Sequence, residues 1–138
     1  MSAMISETQQ RSLLEAAQKV SERAYAPFSK FFVGAAILTS DGKVYVGCNV
    51  ENSSFGMTNC AERTAIFTAI ADGAGEGKLD ITAVAVVNRD GVPCAPCGAC
   101  RQVIYEFGPQ AVVIYRSSQG EIAQTPITDL LPEGFRLE

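Results

Sequence analysis

Cys94, Cys97 and Cys100 stand at intervals of three in the stretch PCAPCGACRQ, residues 93–102, and form two overlapping CxxC units. Histidine, the commonest metal ligand and general base, is absent from all 138 residues. Chemistry at this stretch is therefore sulfur chemistry, either a redox pair or thiolate ligands for a metal. Pro96 stands where a helix would begin, since a proline at the first helical position lacks only an amide proton that has no partner there. On that reading Cys97 and Cys100 fall in the opening turn, on one face. Side chains three apart on a helix have Cβ atoms about 5–6 Å apart. Two thiolates on one tetrahedral zinc need sulfurs roughly 3.8 Å apart, a gap that inward-leaning rotamers close. The partial positive charge and free amides of a helix start also favour thiolate over thiol.

Cys60 holds a matching place at the start of a second helix, after Thr58 and Asn59, both suitable caps. Two helix starts that follow neighbouring strands could bring their sulfurs to one ion at one end of a sheet. Cys60, Cys97 and Cys100 would then supply three ligands and leave the fourth tetrahedral position to water, which is the mark of a catalytic zinc. Three thiolates against a dication leave about one excess negative charge, which blunts the acidity of that water. Arg63, one turn into the Cys60 helix, is placed to offset it by donating hydrogen bonds to the sulfurs. Glu62, two residues after Cys60, can act on the water without binding the metal. A plainer reading also fits, in which Asn59 to Glu62 is an extended capping box and the carboxylate only reaches back to an amide. The sulfurs have alternatives too. Cys94 or Cys48 as a fourth ligand would close the sphere of a purely structural zinc, and a CxxC redox pair would leave Cys60 and Glu62 unexplained.

The elements that position these residues are legible in outline. Ser6 and Gln9 resemble a capping box, and Leu13, Leu14, Ala17, Val20 and Ala24 follow at helical spacing, so a first helix runs to about Tyr25 and stops before Pro27. Residues 31–38 and 43–48 are apolar runs separated by Ser40, Asp41 and Gly42, which predicts an antiparallel hairpin. Residues 60–71 keep helical spacing and end at Gly73, Gly75 and Gly77. The GAGEG stretch there follows a helix instead of a strand, so it reads as a connection and not as a dinucleotide loop. ITAVAVV, residues 81–87, is a continuous apolar run of the kind found where both faces of a sheet are covered. A helix from about Pro96 to Phe107 leads to the strand AVVIY, and residues 128–131 form one helical turn in the tail. A hairpin followed by a strand–helix–strand unit predicts an α/β fold with a mixed sheet and helices on its faces.

Composition narrows the function. A formal charge of −4 argues against a polynucleotide backbone as partner, leaving a small ligand and no nucleic acid. Five cysteines are too few and too unevenly placed for a disulfide scaffold, which fits a reducing compartment. MSAMISETQQ lacks the pattern of a signal peptide, and no apolar run reaches the length of a membrane span, so the expectation is a cytoplasmic chain with no membrane partner. The length and the absence of linkers or repeats predict a single domain over residues 1–138.

NCAERTAI, residues 59–66, together with PCGACRQV, residues 96–103, resembles the zinc-dependent cytidine deaminase family in its short, all-cysteine form. The similarity extends upstream over residues 24–52, through AYAPFSKFF and CNVEN, and downstream to LLPEGF. It implies a three-layer α/β/α domain with a mixed sheet of about five strands. It implies one zinc per chain on Cys60, Cys97 and Cys100, and a hydrolysis in which activated water attacks C4 of cytosine and ammonia leaves. Glu62 would carry the proton from water to ring N3 and then to the departing amine. Asn49 and Glu51 resemble the pair that binds the ribose 3′-hydroxyl, Phe28 the aromatic that packs on the pyrimidine, and the Ala61 amide the donor to the base carbonyl. Phe55 and Phe135 match positions that reach a neighbouring subunit's site, with Phe55 standing where a tyrosine is more usual, and the resemblance implies a homotetramer. Free cytidine and 2′-deoxycytidine are the expected substrates, in pyrimidine salvage. A deaminase of blasticidin-type analogues is the nearest rival, whereas a polynucleotide-editing enzyme would need a basic channel that this chain lacks.

Overall fold

The structure is a computed structural model that describes residues 5–137. Residues 1–4, the opening of the stretch read above as carrying no leader, lie outside them. The elements run α1 (Glu7–Ser21), β1 (Val33–Thr39), β2 (Val44–Cys48), α2 (Ala61–Ala71), β3 (Ile81–Asn88), α3 (Gly98–Phe107), β4 (Val112–Arg116), β5 (Ile122–Pro126) and α4 (Ile127–Leu130). The five strands lie in the order β2-β1-β3-β4-β5. All pairs are antiparallel except β3 with β4, which α3 connects as a parallel crossover.

The period-two alternation of the strands sorts their side chains into two cores. Ala36, Ala83, Ala85, Val112 and Ile114 face Leu13 and Ala17 of α1. Ala35, Ile37, Val84, Val86 and Val113 face Ala65, Ile66 and Ala69 of α2 and Ile104 of α3. The result is the expected α/β/α sandwich, and it explains why β3 reads as an unbroken apolar run. Close approach of the layers depends on glycine: a Cβ on Gly34 would strike the Ala17 carbonyl, and one on Gly47 would strike the Ala65 amide.

Several boundaries differ from the sequence reading, each for a local reason. Helix α1 ends at Ser21 instead of near Tyr25, because the Tyr25 N–H donates to the Asn49 carbonyl at 3.0 Å and draws the chain into a bridge with Val50. Helix α3 starts at Gly98, two residues after Pro96, with Cys97 in extended conformation as its N-cap. The polar strand β5 has no counterpart in the sequence reading. Residues 73–77 form the expected connection, a short 3₁₀ turn containing Gly73, Gly75, Glu76 and Gly77 at positive φ. No helix among the described residues is long and apolar enough to cross a membrane.

Candidate metal centre and ligand cavity

Strands β2 and β3 end, and β1 begins, at the same edge of the sandwich, where Gly34 pairs with Cys48 and Val33 with Asn88. The chain leaves β2 and β3 there and enters α2 and α3, so both helix starts converge. Cys60 is the N-cap of α2 and Cys97 the N-cap of α3, each in extended conformation and neither making a side-chain cap. Their sulfurs are 3.7 Å apart, and with the Cys100 sulfur all three lie within 4.8 Å of one another. Two bonds of about 2.3 Å at a tetrahedral angle span roughly 3.8 Å, so the donor set fits zinc or another soft divalent ion. Among the described residues, neither Cys94 nor Cys48 joins the cluster.

Charge around the sulfurs is already biased toward a thiolate. Cys60 is brought down to about 5 by hydrogen bonding from Cys100 and, next, from Arg63, against burial. Cys100 moves the opposite way because it donates to Cys60 and is buried. Arg63 Nη2 donates to the Cys60 sulfur at 3.3 Å, the contact expected from its place one turn into the helix, and that sulfur holds the guanidinium more firmly protonated. Glu62 is 4% exposed and is raised to about 7, chiefly by burial, with its own amide opposing and the Cys60 charge adding. The capping-box alternative for Glu62 is not formed. The Asn59 N–H donates to the Val50 carbonyl at 2.9 Å, and the Asn59 side chain donates to Thr64 Oγ1, so neither it nor Thr58 caps α2.

A cavity of about 310 Å³ opens beside the sulfurs. Cys60, Cys97, Ala61 and Glu62 line it together with Asn49, Glu51 and Ser29, and Phe31, Val33, Cys94 and Ala95 contribute as well. Two bridges clip the 49–51 segment in place, Tyr25 with Val50 and Val50 with Asn59. Asn49 is buried with its Oδ1 accepting the Val33 N–H at 2.9 Å and its Nδ2 donating to the Phe31 carbonyl at 2.8 Å. Glu51 accepts from the Ser29 hydroxyl and from the Phe28 and Ser29 amides, and these bonds, the hydroxyl's first, hold its carboxyl below the usual range. A wider groove between α1 and the β4–β5 edge contains none of the thiols.

The aromatic residues are more dispersed. Phe28 lines an adjoining depression with Phe55, the two rings meeting edge to face at 5.6 Å, and this depression shares Ser29, Glu51 and Thr58 with the sulfur cavity. Phe135 is 68% exposed beyond α3, where its carbonyl accepts from Gln102 Nε2 at 3.2 Å. Ser29, Phe31 and Thr58 line the cavity, although their sequence context does not single them out as site residues. Ser29 and Phe31 flank Lys30 in the APFSKFF run, so proximity in sequence to Phe28 is the available signal. Cys94 lines the cavity too, with its amide donating to the Arg116 carbonyl at 3.1 Å and its thiol pushed up to about 12 by burial and then by the Glu62 and Cys60 charges.

Comparison with known proteins points in one direction. Residues 7–116 match the model of the family described as the cytidine and deoxycytidylate deaminase zinc-binding region. The chain is 49% identical to a cytidine deaminase of Sporosarcina psychrophila over 127 residues, covering 91% of this chain and 90% of that one. It is 39% identical to a cytidine deaminase of Mycobacterium tuberculosis, covering 88% and 86% respectively. The crystal structure of cytidine deaminase from Burkholderia pseudomallei superposes with a TM-score of 0.81 at 50% identity, covering 95% of this chain and 100% of that one.

Proposed function

The chain belongs to the cytidine and deoxycytidylate deaminase family and is a hydrolytic deaminase, and on that premise we propose that it converts free cytidine and 2′-deoxycytidine to the uracil nucleosides with release of ammonia. The observation that carries this reading is the juxtaposition of three sulfurs and one buried carboxylate at a cavity that Asn49, Glu51 and Ser29 also line. Cys60, Cys97 and Cys100 would hold one zinc per chain. When bound, zinc lowers the pKa of water enough to make it a nucleophile near neutral pH.

The residues of the chain do the rest. Glu62, held near neutrality by its burial, suits a group that must take a proton and return it within one cycle. It accepts the proton of the attacking water and passes it to ring N3. Once the C4–oxygen bond has formed, it takes the remaining proton of the new C4 hydroxyl and delivers it to the amine, so that the C4–nitrogen bond breaks and ammonia leaves a C4 carbonyl behind. Arg63 donates to the Cys60 sulfur and offsets the excess charge of three thiolates. The Ala61 amide, at the first position of α2, has no helical partner and is available to the base carbonyl.

Asn49 and Glu51 are assigned to the ribose 3′-hydroxyl. An amide and an ionised carboxylate can together give and accept at one hydroxyl, and a substrate lacking it would leave them unpaired. Phe28 is assigned to the pyrimidine face. The described residues share one sheet, which supports one domain over the chain. Phe55, Met57, Phe67 and Phe135 are 72%, 68%, 48% and 68% exposed, and this apolar surface supports a homotetramer with Phe55 and Phe135 as cross-subunit residues. All five cysteines are outside disulfides, which supports a reducing, cytoplasmic setting, and a role in pyrimidine salvage goes with the proposed nucleoside substrates.

A metal assay run beside ammonia release tests the whole reading. One zinc per chain, with turnover of cytidine and 2′-deoxycytidine well above free cytosine and blasticidin S, is the expected result. Free cytosine consumed as fast as cytidine would remove the sugar role of Asn49 and Glu51.

A further inference from the structure

Glu51 reaches the cavity with most of its hydrogen-bonding capacity occupied. Its Oε1 accepts the Phe28 N–H at 2.9 Å and the Ser29 N–H at 3.2 Å, and its Oε2 accepts the Ser29 hydroxyl. An ionised carboxylate offers about four acceptor sites. Three donors leave one, and it lies on Oε2. The serine hydroxyl is itself directed, because its oxygen accepts the Phe31 N–H at 3.0 Å and its own proton is thereby left for Glu51.

The turn that delivers these donors is an unusual one. Lys30, between Ser29 and Phe31, sits at φ 60°, the left-handed region that a residue with a Cβ enters only at an energetic penalty. The Lys30 N–H donates to the Ala26 carbonyl at 3.0 Å and closes the turn. Phe28, Ser29 and Lys30 are all exposed, so their side chains add little to either core. Packing therefore does not account for a strained turn that aims two amides and a hydroxyl at one carboxylate. Orientation of that carboxylate at the cavity wall does.

Resting on the sugar-binding reading of Glu51, we propose that Ser29 is a positioning residue for nucleoside recognition, its hydroxyl pinning Oε2 so that the single remaining acceptor site points into the cavity at a sugar hydroxyl. Without that hydroxyl, Oε2 has a second open acceptor site, which water fills, and the carboxylate is free to rotate about the two amides on Oε1. The loss then falls on recognition of the hydroxyl and not on proton transfer at Glu62, which makes none of the hydrogen bonds that hold Glu51.

The test compares the wild type with Ser29→Ala and Ser29→Thr on cytidine and on 3′-deoxycytidine, with zinc content measured for each. In Ser29→Ala the KM for cytidine is expected to rise roughly tenfold while kcat stays within about threefold, the pattern of lost binding without lost chemistry. The KM for 3′-deoxycytidine is expected to move by less than about threefold, because the hydroxyl that Glu51 would accept is already gone. Ser29→Thr keeps the donor and should restore the KM for cytidine. If Ser29→Ala does not fold, Ser29→Cys, a weaker donor of similar shape, carries the test by the same criteria. A wild type that discriminates between the two substrates, with Ser29→Ala losing equally on both, overturns the role of Ser29 alone. A wild type that does not discriminate overturns the sugar-binding reading of Glu51 and this inference with it.

Discussion

At the start of α1, the Ser6 hydroxyl accepts the Gln9 N–H at 3.1 Å and the Gln9 side chain accepts the Ser6 N–H at 3.1 Å, whereas at the starts of α2 and α3 the N-cap side chain is a thiol that caps nothing. A helix that only covers a sheet can satisfy its first amides with its own residues. A helix whose start faces a reacting group is different, because a serine or asparagine cap would occupy the space and the amides that the site needs. Forgoing a good cap costs about 0.5–2 kcal/mol per helix, and here it is forgone twice, at the two ends that converge. What those starts present instead are the sulfurs of Cys60 and Cys97, 3.7 Å apart. The contrast separates scaffold from site within one chain, on a feature as small as the chemistry of the N-cap.

The strongest challenge to that contrast is Glu62→Gln. If α2 begins as part of a reaction site, the variant keeps its zinc and its thermal midpoint, while turnover falls by about 10³-fold to 10⁴-fold, as for loss of a general acid and base. If Glu62 were a cap in disguise, glutamine would serve nearly as well and turnover would survive. Burial opposes ionisation of Glu62 in the folded chain, so stability is not expected to suffer. Measuring kcat beside metal content separates the two outcomes.

Ser6→Ala examines the other side of the comparison, with a smaller effect of another kind. Removing the hydroxyl breaks the reciprocal box, and the expected result is a loss of about 1 kcal/mol of stability in denaturant titration with kcat and KM unchanged. A change in turnover larger than about twofold would mean that the α1 layer and the site are coupled through the sheet, and the division into scaffold and site would fail.

Part of this contrast is legible in the amino-acid sequence alone. Cys60, Cys97 and Cys100 can be brought together from sequence because apolar spacing marks two helices whose starts follow neighbouring strands and have few places to go, even though Thr58 and Asn59 do not cap α2 and α3 begins two residues after Pro96. The α/β/α layering follows from β3, whose unbroken apolar run has no other use. Strand β5 escapes because IAQTP is a half-exposed edge without clean alternation, held by its ladder to β4 and not by burial. The true start of α3 escapes because the extended conformation of Cys97, which sets where its sulfur points, depends on a partner 37 residues away. Ser29 escapes for the same reason: its importance lies in a hydrogen bond to Glu51 that no local pattern encodes.

The least disruptive substitution sharpens the comparison at its boundary. Cys94 shares the spacing of the two cysteines that follow it, yet it lies before α3, outside any helix start, and its amide is tied to the Arg116 carbonyl at the end of β4. Burial and the neighbouring negative charges hold it as a neutral thiol, unlike Cys60, whose sulfur receives hydrogen bonds from Cys100 and Arg63. Position, and not protonation, sets it apart from the ligands, because Cys100 is also shifted toward the thiol and yet lies with Cys60 and Cys97 in a group within 4.8 Å that Cys94 does not join. Cys94→Ser should therefore leave metal content at one zinc per chain and kcat within about twofold, since the substitution keeps shape at a wall position and touches no ligand. Loss of zinc in that variant would mean that a fourth sulfur completes the sphere, and a closed site has no position left for water. The position of a cysteine relative to a helix start, and not its spacing from another cysteine, would then have failed as the guide to which sulfurs take part.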